Sequence, residues 1–300
     1  MSGESAFIDG LRALATHPAA RGLLDDAAVL EVGGETLVLT HDAMVEGTHF
    51  LPTQDMADVA WKLVATNLSD LAAKGAVPVG VLLGHTLGAG DDRFRAGLTE
   101  ALGKYDCPLL GGDTVSGNGG RTFGMTAIGR ATYTPVPGRN GARVDDALYI
   151  TGRVGAAMLG FEALRDGTGA HSTAYRRPTP LLKEGQLLAR VASAMMDVSD
   201  GLLLDASRIA DASGVTLSID TLRVPVATDT DRRAEAMRWG DDYQLLFTAP
   251  TKQDLPLLAY RIGTVVDRRG HALLIDGEPP AADDALGYRH QDRADTRHSR

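Results

Sequence analysis

Strand-length apolar runs alternate with amphipathic helical stretches along almost the whole chain, and one Pro-, Gly- and Asn-rich segment, TYTPVPGRNGA (132–142), interrupts the alternation near its middle. A chain patterned in this way folds as sheets covered by helices, and the interruption marks a boundary between two units. In the first unit the spacing predicts a helix over 5–16, a strand over 36–40 running into an acidic loop, and a helix from about Met56 to Lys74 stopped by Gly75. A strand over 79–87, a helix over 91–105 with Phe94, Leu98 and Leu102 on one stripe, and strands over 108–112 and 122–131 complete an α/β first half. The second half reads as strands over 147–152, 216–219, 243–249 and 261–266, with helices over 154–165, over 181–195 and after Ser199. The last stretch, QDRADTRHSR, has no apolar periodicity and is expected to be disordered. The expected division is therefore 1–135, 136–290 and a tail, 291–300.

Charge and cysteine usage remove several function classes. With 39 acidic against 30 basic residues the net charge is −9, which disfavours a nucleic-acid partner. Cys107 is the only cysteine, so an internal disulfide and multi-cysteine metal sites are excluded and a reducing, cytoplasmic setting is expected. No window reaches the apolar length of a membrane span, and the N-terminal stretch lacks a basic region before an apolar run.

The acidic residues are not scattered. Asp25 and Asp26 in LLDDAAVL, Asp42 in LTHDAMVEG, Asp70 in NLSDL, Asp113 in LLGGDTVSG, and Asp197 with Asp200 in MDVSDG all sit in short turns flanked by apolar, strand-like residues. Singly, each is a helix cap or a solvated turn. Clustered, they repel one another and must be protonated, neutralised or metal-bound. Oxygen ligands from Asp, with Thr40 and backbone carbonyls at hand, suit Mg²⁺, and the histidines have no zinc spacing. Several Mg²⁺ ions between carboxylates and a nucleotide triphosphate would reconcile an acidic pocket with an anionic ligand. Neither a Walker loop nor a protein-kinase signature is present; GGDT (111–114), SGNGG (116–120) and Arg139 are the candidate phosphate contacts. His49, beside the acidic loop, is a candidate substrate contact. NLSDLAAKGA (67–76) and DVSDGLLLDA (197–206) echo each other faintly.

The ordered series LLDDAAVL, LTHDAMVEGTHF, WKLVATNLSDLAAKGAVP, LLGGDTVSG, MDVSDGLLLDASRIADASGV and WGDDYQLLFTAP resembles the thiamine-monophosphate kinases, from about residue 23 to 266. That family shares a superfamily with aminoimidazole ribonucleotide synthetase and selenophosphate synthetase. The resemblance implies a two-domain α+β subunit, each domain a mixed sheet backed by helices, with the N-terminal sheets of a homodimer pairing into a β-barrel. It implies Mg²⁺ ligands at Asp26, Thr40, His41 (through its carbonyl), Asp42, Asp70, Asp113 and Asp197, with Asp200 on a further metal. It implies ATP contacts at Gly112, Asp113, Arg139 and Ser199, and thiamine monophosphate contacts at His49 and Asp241. The reaction implied is direct in-line transfer from ATP to the substrate phosphate, giving thiamine diphosphate without a phosphoenzyme, with Asp42, Asp70 and Asp113 central to the metal-assisted step.

Three departures stand out against that pattern. Leu24 replaces the usual Gly before the first Asp pair, WGDDYQ replaces GGEDYE and so puts the shorter Asp241 in place of Glu, and Ala285 falls where a thiamine-stacking aromatic is expected, with Tyr288 nearby. Another ATP-using member of the superfamily and a non-catalytic nucleotide or metal sensor therefore stay open as alternatives. Cys107 is at neither position where the selenophosphate or hydrogenase-maturation members need a reactive cysteine.

Overall fold

The computed structural model describes residues 3–268, 270–281 and 283–290; the expected tail, 291–300, lies outside them. The first sheet holds β1 (Ala28–Val32), β2 (Glu35–Val45), β3 (Ala76–Thr86), β4 (Leu109–Val115) and β5 (Thr122–Ala131) in the order β1-β2-β5-β3-β4. Its pairs are antiparallel except β3 with β4. The second sheet has the order β11-β8-β10-β6-β9-β7, built from β6 (Asp146–Ile150), β7 (Ala194–Asp197), β8 (Thr216–Ile219), β9 (Leu245–Pro250), β10 (Tyr260–Val266) and β11 (Leu273–Ile275). Its pairs are antiparallel except β8 with β11. Each sheet has its own apolar core, so the chain is a two-domain α+β fold of mixed sheets backed by helices.

The helices begin with α1 (Gly3–Arg12), α2 (Met56–Ala73) and α3 (Asp91–Lys104) in the first half, and α5 (Thr173–Arg176) lies among those of the second; α2 holds the two halves together. Asp55 caps it by accepting from the Ala57 N–H at 2.9 Å. Leu63, Leu68 and Leu71 are fully buried, each contributing about 2 kcal/mol of burial, and the helix packs on β2, β3 and β5 of the first sheet and on β7 of the second. Unlike an ordinary amphipathic helix it has no wet face: Asp58, Lys62, Thr66, Asn67 and Ser69 are buried as well. The chain leaves it through Gly75, at φ +61°, where a Cβ would come within 2.4 Å of the Ala189 Cβ.

Most predicted elements are present, with two corrections. The strand expected over 36–40 continues to Val45, so Asp42 lies on a strand and not in a loop. The helix expected over 181–195 is α6 (Leu182–Leu188) only; the apolar run that follows becomes β7, whose pairing with β9 outweighs the helical pattern. The two echoing motifs occupy different places, since Ser69 and Asp70 lie inside α2 whereas Ser199 and Asp200 precede α7 (Leu202–Ser213).

Candidate active site

Four elements deliver carboxylates to the seam between the sheets. Asp26 arrives from the turn before β1, Asp42 from β2, Asp70 from the last turns of α2, and Asp197 from the end of β7. Oxygens of Asp26, Asp70 and Asp197 all lie within 4.8 Å of one another. Asp42 is two residues from Thr40 on one face of β2, and Thr40 donates its hydroxyl to Asp70 Oδ2 and, at 3.4 Å, to the Asp26 carbonyl. Ser69 donates to Asp197 Oδ2 at 2.6 Å, and Asn67 accepts the Asp42 N–H at 3.1 Å. Among the described residues no basic side chain pairs with Asp42, Asp70 or Asp197.

The electrostatic consequence is strong. Burial, then the charges of Asp200 and Asp26, push Asp42 up to about 6. Burial, then Asp26, push Asp197 up to about 8, and Asp70 rises well above the carboxylate range through burial and then Asp42, its strongest repelling neighbour. A group whose folded pKa is raised contributes stability below its unfolded pKa near 3.8 and loses it as pH climbs through the folded value. In EDTA the melting temperature is therefore expected to fall by roughly 5 °C between pH 5 and pH 9. A scanning-calorimetry series checks this, and a flat profile in EDTA would mean the carboxylates do not repel in the folded chain.

Cations do surround the cluster on its other side. Lys74, fully buried after α2, pairs with Asp25 at 2.5 Å and Asp26 at 2.6 Å and donates to the Met195 carbonyl at 3.0 Å. Burial alone would raise Asp25, but Lys74 and Arg21 overcome it and hold Asp25 down at about 2. Arg139 also pairs with Asp26, and its carbonyl accepts from Ser213 at 2.8 Å. Asp205 of α7, fully buried, accepts the N–H groups of Ser199 and Asp200 at 3.1 and 3.0 Å and so shapes the DVSDG turn. Asp200 itself pairs with Arg208 at 2.6 Å.

Residues expected on the acceptor side form a second group. Asp241 has its Oδ2 2.7 Å from Lys62 Nζ, and its Oδ1 accepts the Tyr243 hydroxyl at 2.8 Å. His49 accepts the Val45 N–H at 2.9 Å, and its ring lies 5.3 Å from that of His290. Burial, then His290, lower the His49 pKa. The loop carrying Asp241 is zipped to the DVSDG turn by Asp241 N–H to the Ser199 carbonyl and Tyr243 N–H to the Val198 carbonyl, both 2.8 Å. Asp242, half-buried and raised to about 7 by desolvation, accepts from the N–H groups of Gly155 and Ala157 at the start of α4 (Ala156–Arg165). No aromatic stands at Ala285, yet the C-terminal stretch brings the His290 ring against that of His49, with the Tyr288 ring 5.1 Å from His290.

Not every expected site residue joins. The His41 side chain lies on the other face of β2 and meets Thr126 Oγ1 at 2.9 Å. Gly112 and Asp113 are on β4, an edge strand exposed throughout, and a Cβ on Gly112 would come within 1.9 Å of the Leu83 carbonyl. Lys62, Lys74, Tyr175 and Asp205 carry much of the geometry and are not among the residues that the sequence motifs single out. A polar stripe at four-residue spacing, Lys62, Thr66, Asp70 and Lys74, is the signal that points to the two lysines.

Two sheet domains joined across a cluster of carboxylates define a protein of the AIR synthase related class. The N-terminal domain family of the AIR synthase related proteins matches residues 24–131, and the C-terminal domain family matches residues 143–276. The thiamine-monophosphate kinase of Salmonella typhimurium is 38% identical over 252 residues, covering 76% of each chain. The crystal structure of thiamine monophosphate kinase from Aquifex aeolicus has a TM-score of 0.80 at 27% identity, covering 93% of this chain and 99% of that one. A structure of AaThiL complexed with AMPPCP and TMP reaches 0.84 at 28% identity, covering 93% and 95%. The chain belongs to the thiamine-monophosphate kinase family.

Proposed function

We propose that this chain transfers the γ-phosphoryl group of ATP to thiamine monophosphate in the presence of Mg²⁺, giving thiamine diphosphate and ADP. The observation that carries the reading is the set of converging carboxylates, Asp197 buried and Asp26, Asp42 and Asp70 half-buried, three of the four without a cationic partner among the described residues. Hard oxygen donors of this kind fit Mg²⁺, and Thr40, the His41 carbonyl and Asp200 add to the donor set. Bound Mg²⁺ would neutralise phosphate charge and bridge the nucleotide to the cluster.

The chain's own groups do the rest. Lys74 and Arg139 fix the Asp26 carboxylate from behind. Asp205 presents the Ser199 and Asp200 turn, with Ser199, Arg139, Gly112 and Asp113 assigned to ATP. His49 and Asp241 are assigned to thiamine monophosphate, with the His290 ring taking the place sought for an aromatic at Ala285. The acceptor phosphate oxygen is already ionised near neutral pH, so direct in-line transfer needs neither a strong base nor a nucleophilic side chain.

Domains of 1–135 and 136–290, a cytoplasmic setting and a homodimer complete the reading. No described helix is long and apolar enough to cross a membrane. β4 offers an unpaired edge with Leu109, Leu110 and Val115 exposed, an edge suited to pairing the N-terminal sheets of two subunits into a barrel. The test is a coupled assay for ADP release with ATP, Mg²⁺ and thiamine monophosphate, beside thiamine and aminoimidazole ribonucleotide precursors, with the product identified by chromatography. Thiamine diphosphate formed only from the monophosphate and only with Mg²⁺ is the expected result. No product from folded protein that still binds Mg–ATP would point to another acceptor or to a sensor.

A further inference from the structure

Lys62 is a charged residue in the middle of a helix that is otherwise packed on all sides, and nothing in the chemistry above uses it. Its side chain is 2% exposed. The ammonium is fully engaged: Asp241 Oδ2 at 2.7 Å, the His49 carbonyl at 3.2 Å, and the Tyr175 ring at 3.8 Å. Tyr175 in turn donates its hydroxyl to the same His49 carbonyl at 3.1 Å. Three donors on an ammonium thus meet three partners, and none is left for a ligand.

Asp241 reaches the surface, its side chain 29% exposed. Both its oxygens are held, one by Lys62 and the other by the Tyr243 hydroxyl. Its backbone is left-handed, φ +65°, a conformation unfavourable for a residue with a Cβ, and it is kept there by its N–H to the Ser199 carbonyl. Lys62 comes from the first domain, whereas Asp241, Tyr243 and Tyr175 come from the second. The contact is therefore made only with the two domains docked, and it ties the acceptor-side loop to the helix that also carries Asp70.

Resting on the functional reading above, we propose that Lys62 is a positioning residue for the acceptor: it aims the Asp241 carboxylate, at a fixed distance from His49, at the cationic thiazolium and amino-substituted pyrimidine of thiamine monophosphate. A carboxylate matches both groups, one by charge and one as hydrogen-bond acceptor. Without Lys62 the short Asp241 side chain loses the cation that orients it, while the metal cluster and the nucleotide side are left as they were.

The experiment uses the full chain with Lys62→Met, Asp241→Asn and both together, measuring kinetics with each substrate and calorimetric binding of thiamine monophosphate. Lys62→Met is expected to raise the KM and Kd for thiamine monophosphate by about tenfold or more, with the KM for ATP and kcat changing less than about threefold. The double variant is expected to be no worse than Asp241→Asn alone, because Lys62 acts through that carboxylate. Equal effects on both substrates, or single effects that multiply in the double variant, would overturn the proposal. If Lys62→Met does not fold, the double variant removes both charges, an exchange buried pairs tolerate; a KM for thiamine monophosphate above that of Asp241→Asn would then show Lys62 touching the substrate itself, against the proposal. Calorimetry separates the two readings: a parent protein that binds thiamine monophosphate without phosphorylating it overturns the kinase reading and leaves the Lys62 comparison readable, and one that does not bind it overturns both.

Discussion

Replacing Asp70 by Asn is expected to lower kcat by about a thousandfold or more while leaving the metal-free protein at least as stable as the parent. On the proposed function the loss follows from removing one negative donor from the set proposed to gather cations around the transferring phosphoryl oxygens, an effect worth about 4 kcal/mol. The stability half is the sharper claim. Asp70 is half-buried, and desolvation together with Asp42, Asp197 and Asp26 already drives its carboxyl toward the neutral form. A protonated carboxyl and an amide have nearly the same shape, and the introduced amide retains an oxygen to accept from the Thr40 hydroxyl. In EDTA at pH 9, where the parent cluster is more fully charged, the variant should melt higher than the parent; with Mg²⁺ it should gain less than the parent does. Turnover near the parent rate would remove Asp70 from the metal set, and a lower melting point in EDTA would remove the repulsion argument.

The outline of this site is legible in the sequence because the residues that build it come in short acidic motifs bounded by apolar strands, and Asp26, Asp42, Asp70 and Asp197 converge from four separate stretches. Their arrangement is not legible, for specific reasons. HDAMV reads as a polar loop after TLVLT, whereas Thr40 and Asp42 alternate with Leu39 and His41 on a long strand that has one face on the seam. β7 is hidden because VASAMMD is as compatible with a helix as with a buried strand, and only pairing with β9 decides. Lys62 and Lys74 carry no signal of their own because a lysine on a helix is ordinarily solvated; here the apolar residues around the whole of α2 leave it no wet face, and each lysine needs a carboxylate from a distant segment. Arg139 reads as an exposed cation just past the domain boundary, and in the structure it is largely buried against Asp26.

Lys74→Met is expected to cost about 3–5 kcal/mol in urea unfolding at pH 7. Methionine fills much the same volume, so the loss is electrostatic: Asp25 and Asp26 would remain buried without the ammonium that now sits 2.5 and 2.6 Å from them. The Met195 carbonyl of β7 would lose its donor as well, which loosens the strand that delivers Asp197. The pH dependence separates this account from lost packing. In the parent, Asp25 is held at about 2 against an ordinary 3.8; a depressed carboxylate contributes stability above its unfolded pKa and surrenders it as pH falls through the folded value. The stability difference between parent and variant should therefore be largest near neutrality and shrink toward pH 3, as the Asp25 carboxylate left behind in the variant takes up a proton and no longer needs a partner. A difference of the same size at pH 3 and pH 7 would mean that Lys74 holds the seam by its hydrocarbon stem and not by its charge.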